Sequence, residues 1–295
     1  MNVFGFINLN KPRNLGSRTA INSIVKLVRP QKVGHAGTLD PLASGVLVTA
    51  IGPATRLIRY VQDSEKEYRG SFRLGVTSNT EDVMGDVTEL ISAPEVSQAD
   101  IENVLPDFIG SIEQTPPQFS ALKVDGVRAY KLARKGVEAP LKPRRVSIHS
   151  LHLASFEYPT FELTIRCSGG TYVRTLGRDI AKAVGSDAVM TGLQRTAEGN
   201  LRIEDAVAPE KLTSENIDSH VTLPQDAVLH MNTVEIDSQV SHQFLNAVAW
   251  HPDQDPLHEE LLAVDQQKRL VAVLRRQADG GYTPKLNFVH YWNDV

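Results

Sequence analysis

A single acidic residue, Asp40, stands in the stretch GHAGTLDPLASGVL (34–47), between a glycine-containing turn and a run of small and apolar residues. Pro41, Leu42, Ala43, Val46, Leu47 and Val48 follow it, so the carboxylate is expected to be partly buried. Burying a charge is costly unless something pairs with it. Asp40 is therefore either a structural cap or a group placed for chemistry. Further along, SGGTYVRTLGRDIA sets Gly169 and Gly170 before Tyr172 and Arg174. On a strand, residues at i and i+2 share a face. A ring and a guanidinium on one face suit a base or a sugar-phosphate, and Arg174 could also neutralise a buried carboxylate. An ordinary surface pair would look the same. Tyr68 lies in SEKEYRG beside Lys66 and Arg69, a setting that suits stacking on bases and equally an edge or core tyrosine. His35 is two residues from Gly37 and is open to reading as a base, a stacking ring or a ligand. Nothing nearby has metal-ligand spacing, so no metal is expected. Glu81 and Asp82 read as part of a solvated polar turn. The segment GVTSNTEDVMG lacks the spacing of a phosphate-binding or dinucleotide loop.

The elements that must hold these groups come next. VFGFINLNKP alternates and stops at Pro12, which predicts a strand. SRTAINSIVKLVRP has helical spacing, with Ser17 as N-cap and Pro30 as stop. GVLVTAIG and KEYRGSFRLGV predict two more strands. SQADIENVLPDFIG predicts a helix behind a cap-like Ser97. RVSIHSLHLASFEYPTFELTIRCSGGTYVRTL predicts two or three strands, and VRTLGRDIAKAVGS a helix ended by Gly185. Without a clean βαβ rhythm, these elements predict an α+β fold with a mixed, largely antiparallel central sheet and flanking helices. A boundary is expected near Pro224. Beyond it TVEI, LLAVDQQKRLVAVLRRQ and KLNFVHYW predict short strands of a small β domain.

At 295 residues the chain is long enough for two domains. With 41% hydrophobic and 22% charged residues it has the composition of an ordinary globular protein. One cysteine, Cys167, rules out an internal disulfide. The first residues are too polar for a signal peptide, and no run reaches the length of a membrane span. A cytoplasmic protein is expected. The net charge of −4 hides an asymmetry: residues 203–295 carry 6 basic and 15 acidic residues, residues 1–202 carry 25 and 20. Residues 120–150 alone hold 8 basic against 2 acidic. Such a stripe can be the footprint of a polyanion or simply a solvated face.

Taken together, the segments resemble a family. GHAGTLDPLASGVL is similar to the aspartate motif of RNA pseudouridine synthases in its TruB form. NLNKP (8–12), EKEY (65–68), TPPQFSALKVDGVRAYKLARKGV (115–137), CSGGTYVRTLGRDIA (167–181) and LQR (193–195) fit the same family in order and spacing. The likeness spans about residues 3–207. It departs at KPRNLGS, where Asn14 and Gly16 replace a glycine and a hydroxyl residue, and at Asn79, where an aspartate is common.

The resemblance implies a pseudouridine synthase fold over residues 1–222, with 115–145 as an RNA-gripping segment. By position it implies a PUA-like β domain over 223–295. It implies isomerisation of the T-loop uridine at tRNA position 55, flipped out of its stack. Asp40 would break the glycosidic bond. Attack at the ribose C1′, attack at the base C6 and a glycal route all remain open. Arg174 would keep Asp40 ionised. Tyr68 would stack on the uracil and take a ribose proton, His35 would fill the vacated space, and Tyr172 and Leu193 would line the pocket. Lys11 and Pro12 would shape the wall. The partner implied is the tRNA T-arm stem-loop, bound by a monomer with no membrane, obligate protein partner, metal or cofactor. Two rival readings are kept. A non-catalytic RNA-binding or tRNA-folding module would need the basic stripe but not Asp40 with Arg174. A synthase guided by a partner RNA would bring extra basic extensions.

Overall fold

The computed structural model describes residues 3–254 and 256–292. Strand β1 (Gly5–Lys11) leads into two short helices, α1 (Ser17–Ala20) and α2 (Asn22–Leu27). The one helix expected here is divided at Ile21, whose ψ of −4° departs from the helical value of about −42°. Ser17 is not the N-cap. Gly16 takes that position, without a side chain to cap it, and Ser17 is used elsewhere. Then come β2 (Val33–His35), β3 (Ala43–Ile51), α3 (Ile58–Gln62) and β4 (Lys66–Leu74). A hairpin of β5 (Val76–Ser78) and β6 (Val87–Glu89) precedes α4 (Gln98–Val104). Ser97 caps α4 through a reciprocal box with Asp100, as its position in the sequence predicts. Next are β7 (Gly110–Gln114), a hairpin of β8 (Lys123–Val124) and β9 (Val127–Arg128), and α5 (Ala129–Ala133). The long antiparallel pair β10 (Arg144–Glu157) and β11 (Thr160–Cys167) is followed by α6 (Val173–Ala183), β12 (Ala188–Glu198), β13 (Leu201–Arg202) and β14 (Val221–Thr222).

Ten of these strands form one sheet in the order β14-β1-β3-β12-β4-β11-β10-β7, with β13 beside β12 and β2 beside β3. Only β3 and β12 pair in parallel; the other pairs are antiparallel. The sheet is therefore mixed and largely antiparallel, as expected. Phe72 and Leu74 of β4 join Leu176 and Ile180 of α6 and Ile101 of α4 in one buried core. Gly177 permits this approach, since a Cβ there would lie 2.0 Å from the Phe72 ring. Ile7, Leu9, Leu47, Ile21 and Ile24 build a second core around β1, β3 and the short helices. Tyr68 and Leu193 pack against both.

A second sheet follows: β15 (Thr233–Glu235), β16 (Glu260–Val264), β17 (Leu270–Arg276) and β18 (Tyr282–Asn287), side by side in that order. The expected strands are present, but a helix, α7 (Ser238–Leu245), lies among them. Asp237 caps it by accepting from the Val240 N–H, so this region is not purely β. Phe288, Leu262, Leu270 and Val273 share a buried cluster with Phe6 and Val46 of the large sheet, Leu57 just before α3 and Tyr60 of α3.

Candidate active site

Asp40 sits in the loop between β2 and β3, and the loop is fixed from three directions. Ser17 Oγ both donates to the Leu39 carbonyl and accepts from the Leu39 N–H, at 2.8 Å each. The Asn14 N–H donates to the Pro41 carbonyl at 2.7 Å. The Ala43 N–H donates back to the Asp40 carbonyl at 3.0 Å. Asn14 has φ of +64°. Asparagine is among the few non-glycine residues that tolerate this conformation, so it can stand where the family carries glycine.

The Asp40 side chain is 35% exposed and Arg174 only 5%. Arg174 Nε lies 3.0 Å from Asp40 Oδ2. Both terminal nitrogens are also engaged: Nη1 donates to the Thr80 carbonyl at 2.6 Å and Nη2 to the Phe119 carbonyl at 2.9 Å. Nη1 also lies 3.7 Å from Asp82 Oδ2. Tyr172 and Arg174 are not an i, i+2 strand pair. Tyr172 is the N-cap of α6 and Arg174 is in its first turn, because the Tyr172 backbone turns to accept α6's first hydrogen bond from Leu176. The two side chains nevertheless reach one cleft.

Asp82 and Glu81 are not solvated. Asp82 is 5% exposed and accepts from Thr80 Oγ1 and the Met84 N–H at 2.7 and 2.9 Å. Glu81 accepts from Thr175 Oγ1 at 2.9 Å and pairs with Arg178, both on α6. The loop is thus clamped to the helix that carries Arg174. Sequence reading missed this because three polar residues in a row describe a turn and a clamp equally well.

Burial pushes the Asp40 carboxyl above its ordinary range; Arg174 opposes this, Asp82 adds to it, and Lys11 opposes it. Lys11 does more than form a wall. It is fully buried, donates to the Pro12 and Leu15 carbonyls, and burial lowers its pKa to about 8.

Asp40 lies where two depressions meet. A cleft of about 660 Å³ is lined by Asp40, Tyr68, Tyr172, Arg174, Leu193 and Arg195. A second groove of about 970 Å³ shares Asp40 and Arg174 and adds His35, Arg128, Tyr130 and Arg134. The structure therefore gathers Asp40, Tyr68, Tyr172, Arg174 and Leu193, and places His35 on the other side of Asp40. Arg144 leaves the basic stripe for the cleft: its guanidinium lies 4.5 Å from the Tyr172 ring centroid and donates to the Gly170 carbonyl. Among the described residues, no group of three or more His, Cys, Asp or Glu side chains is placed to hold a metal ion. No helix among them is long and apolar enough to cross a membrane.

The fold is that of the pseudouridine synthases, isomerases that convert uridine to pseudouridine in RNA. It resembles a chain of the crystal structure of a Cbf5-Nop10-Gar1 complex with a TM-score of 0.71 and 25% identity, over 93% of this chain and 78% of that one. Residues 25–173 match the N-terminal domain of the TruB family pseudouridylate synthases, and the chain belongs to that family. The tRNA pseudouridine synthase B of Synechocystis sp. is 38% identical over 252 residues, covering 83% of this chain and 84% of its own. The tRNA pseudouridine synthase B of Clostridium tetani is 34% identical over 285 residues, covering 96% and 99%.

Proposed function

We propose that this chain isomerises the T-loop uridine at tRNA position 55 to pseudouridine, with Asp40 as the reacting carboxylate. The single observation that carries the reading is the Asp40–Arg174 pair at 3.0 Å, set at the edge of a cleft with two tyrosines. A partly exposed carboxylate locked to a buried guanidinium serves chemistry better than folding, since part of it is left open to a ligand. The names of the relatives support tRNA as substrate. The flipped base leaves its stack at a cost of a few kcal/mol, and Tyr68 and Tyr172 offer rings to receive it. Arg174 holds Asp40 ionised and aimed, and Asp82 and Thr80 hold Arg174. Leu193 closes the apolar side, and His35, with Arg128 and Arg134, meets the RNA beside the extracted nucleotide. The protein acts as a monomer on the T-arm stem-loop in the cytoplasm, without metal or cofactor, and residues 223–295 form its PUA-like domain.

The test is incubation with an unmodified tRNA transcript, followed by carbodiimide and primer-extension mapping. Pseudouridine is expected at the T-loop position in stoichiometric yield. Asp40→Asn keeps size and removes charge and nucleophile; it is expected to fold and bind RNA but to form no product. Near wild-type yield from Asp40→Asn would remove Asp40 from the reaction. RNA binding without product from the wild type would favour the non-catalytic module, and product only with an added RNA would favour a guided synthase.

A further inference from the structure

A buried amide that takes no part in the reaction above is spent on the frame of the site. Gln114 ends β7 and is 1% exposed. Burying an amide is costly unless it is hydrogen-bonded, and both ends of this one go to a single residue. Gln114 Oε1 accepts from the Tyr172 N–H at 3.0 Å, and Gln114 Nε2 donates to the Tyr172 carbonyl at 3.3 Å. Tyr172 is the N-cap of α6 and makes no capping bond with its own side chain. The first N–H groups of a helix lack partners within it, so the turn into α6 depends on what reaches it from outside. Gln114 reaches it across 58 positions of sequence.

Arg144 holds the same residue from the neighbouring strand. It pairs with Gln114 in the β7–β10 register. Its guanidinium lies 4.5 Å from the Tyr172 ring centroid and donates to the Gly170 carbonyl. Gly170 leaves room for it: φ is +85°, and a Cβ would lie 3.3 Å from Arg144 Nη2. One member of a strand pair thus grips the Tyr172 backbone and the other its ring. Two positions on, Arg174 Nε meets Asp40 at 3.0 Å. We infer that Gln114 is a positioning residue that sets the start of α6, and with it the aim of Arg174 at Asp40 and the placing of the Tyr172 ring in the cleft. The inference rests on the function proposed above. Gln114 itself lines neither depression beside Asp40, so it acts through these two side chains.

The experiment compares the wild type with Gln114→Met in tRNA affinity by filter binding, in the single-turnover rate at saturating tRNA transcript across a pH series, and in thermal melts. Methionine is as long and unbranched, but it has no N–H to donate and only a weak acceptor. The variant is expected to bind tRNA within about 3-fold of the wild type and to react about 10- to 100-fold more slowly, the scale of loss that a displacement of about 1 Å produces. Asp40 faces Arg174 from α6, Asp82 from the 79–82 loop and Lys11 from β1. Arg174 favours the charged carboxylate, so a loosened Arg174 raises the Asp40 pKa, and the acid limb of the rate should move to higher pH. A loss of folded protein would scale the rate equally at every pH. A wild-type saturating rate in the folded variant, or a slower one with the acid limb in place, would overturn the inference and leave the function standing. An inactive wild type would overturn both. Should Gln114→Met fail to fold, Gln114→Glu keeps the shape and the acceptor for the Tyr172 N–H while losing the donor, and the same slower rate and shifted limb are expected of it. Failure of both variants to fold would overturn the inference, since Gln114 would then serve folding alone.

Discussion

Asp40 is harder to ionise in its surroundings than a free aspartate. Its loop places it in a partly closed cleft with Asp82 nearby, and the sum of burial and like charge raises its pKa despite Arg174 and Lys11. A free aspartate titrates near 3.9, so the rate should fall with acid at a pH above that value as Asp40 takes up a proton. Asp82→Asn removes the like charge and is expected to move this acid limb to lower pH, while slowing the reaction because Arg174 loses a partner. Single-turnover rates between about pH 4 and pH 8 measure both effects. A limb that stays in place in Asp82→Asn would show that the two carboxylates do not sense each other. The pairing of Asp40 with Arg174 could be read from the sequence, because a carboxylate before an apolar run needs a cation and few are suitably placed. Asp82 could not. Its burial depends on the packing of the 79–82 loop against α6, a contact across more than ninety positions.

At the scale of elements, α6 connects stability to chemistry. It carries Arg174 in its first turn and Gly177 one turn on, where the helix meets the Phe72 ring. Gly177→Ala forces a Cβ into that ring. Overpacking of this kind costs about 1–3 kcal/mol, and the helix must lift, taking Arg174 away from Asp40. Denaturant unfolding should record the lost stability and the single-turnover rate should drop with it. Phe72→Leu in the same chain should recover much of both. Full activity in Gly177→Ala would mean that α6 has room to adjust. Strands β1 and β4 are evident from alternation and β3 from its short apolar run, and Ser97 and Gly185 mark helix ends correctly. The division of the first helix was not evident, because its apolar spacing continues through Ile21. Gly16 supplies no cap hydroxyl, and Ser17, one place late, holds Leu39 instead. Helix α7 was hidden among strand-like segments, since a helix of eight residues with a modest apolar stripe gives little periodicity to read.

For the whole molecule, the uneven charge acquires a location. Arg128, Lys131 and Arg134 line the groove beside Asp40, whereas Arg144 is engaged within the cleft itself. Each phosphate contact releases counterions and steepens the fall of affinity with salt, by about 0.7–0.9 in the log–log slope. Neutralising Arg128, Lys131 and Arg134 together should flatten that slope, measured by filter binding across a salt series. An unchanged slope would put the RNA elsewhere. The second sheet, within the acidic stretch 203–295, lies against this catalytic body rather than hanging from it. The Tyr60 hydroxyl donates to Glu260 at 2.8 Å, Arg56 covers the Phe288 ring at 5.0 Å, and Phe4 stacks on Trp292 at 5.2 Å. Phe288 is wholly enclosed. The two larger sheets thus share a buried cluster. Severed after Thr222, each piece would present to water the apolar face that the other now dries, and the larger would lose part of the floor beneath β3, the strand that leads away from Asp40. A scissor line drawn from the topology alone would run through the masonry instead of the mortar.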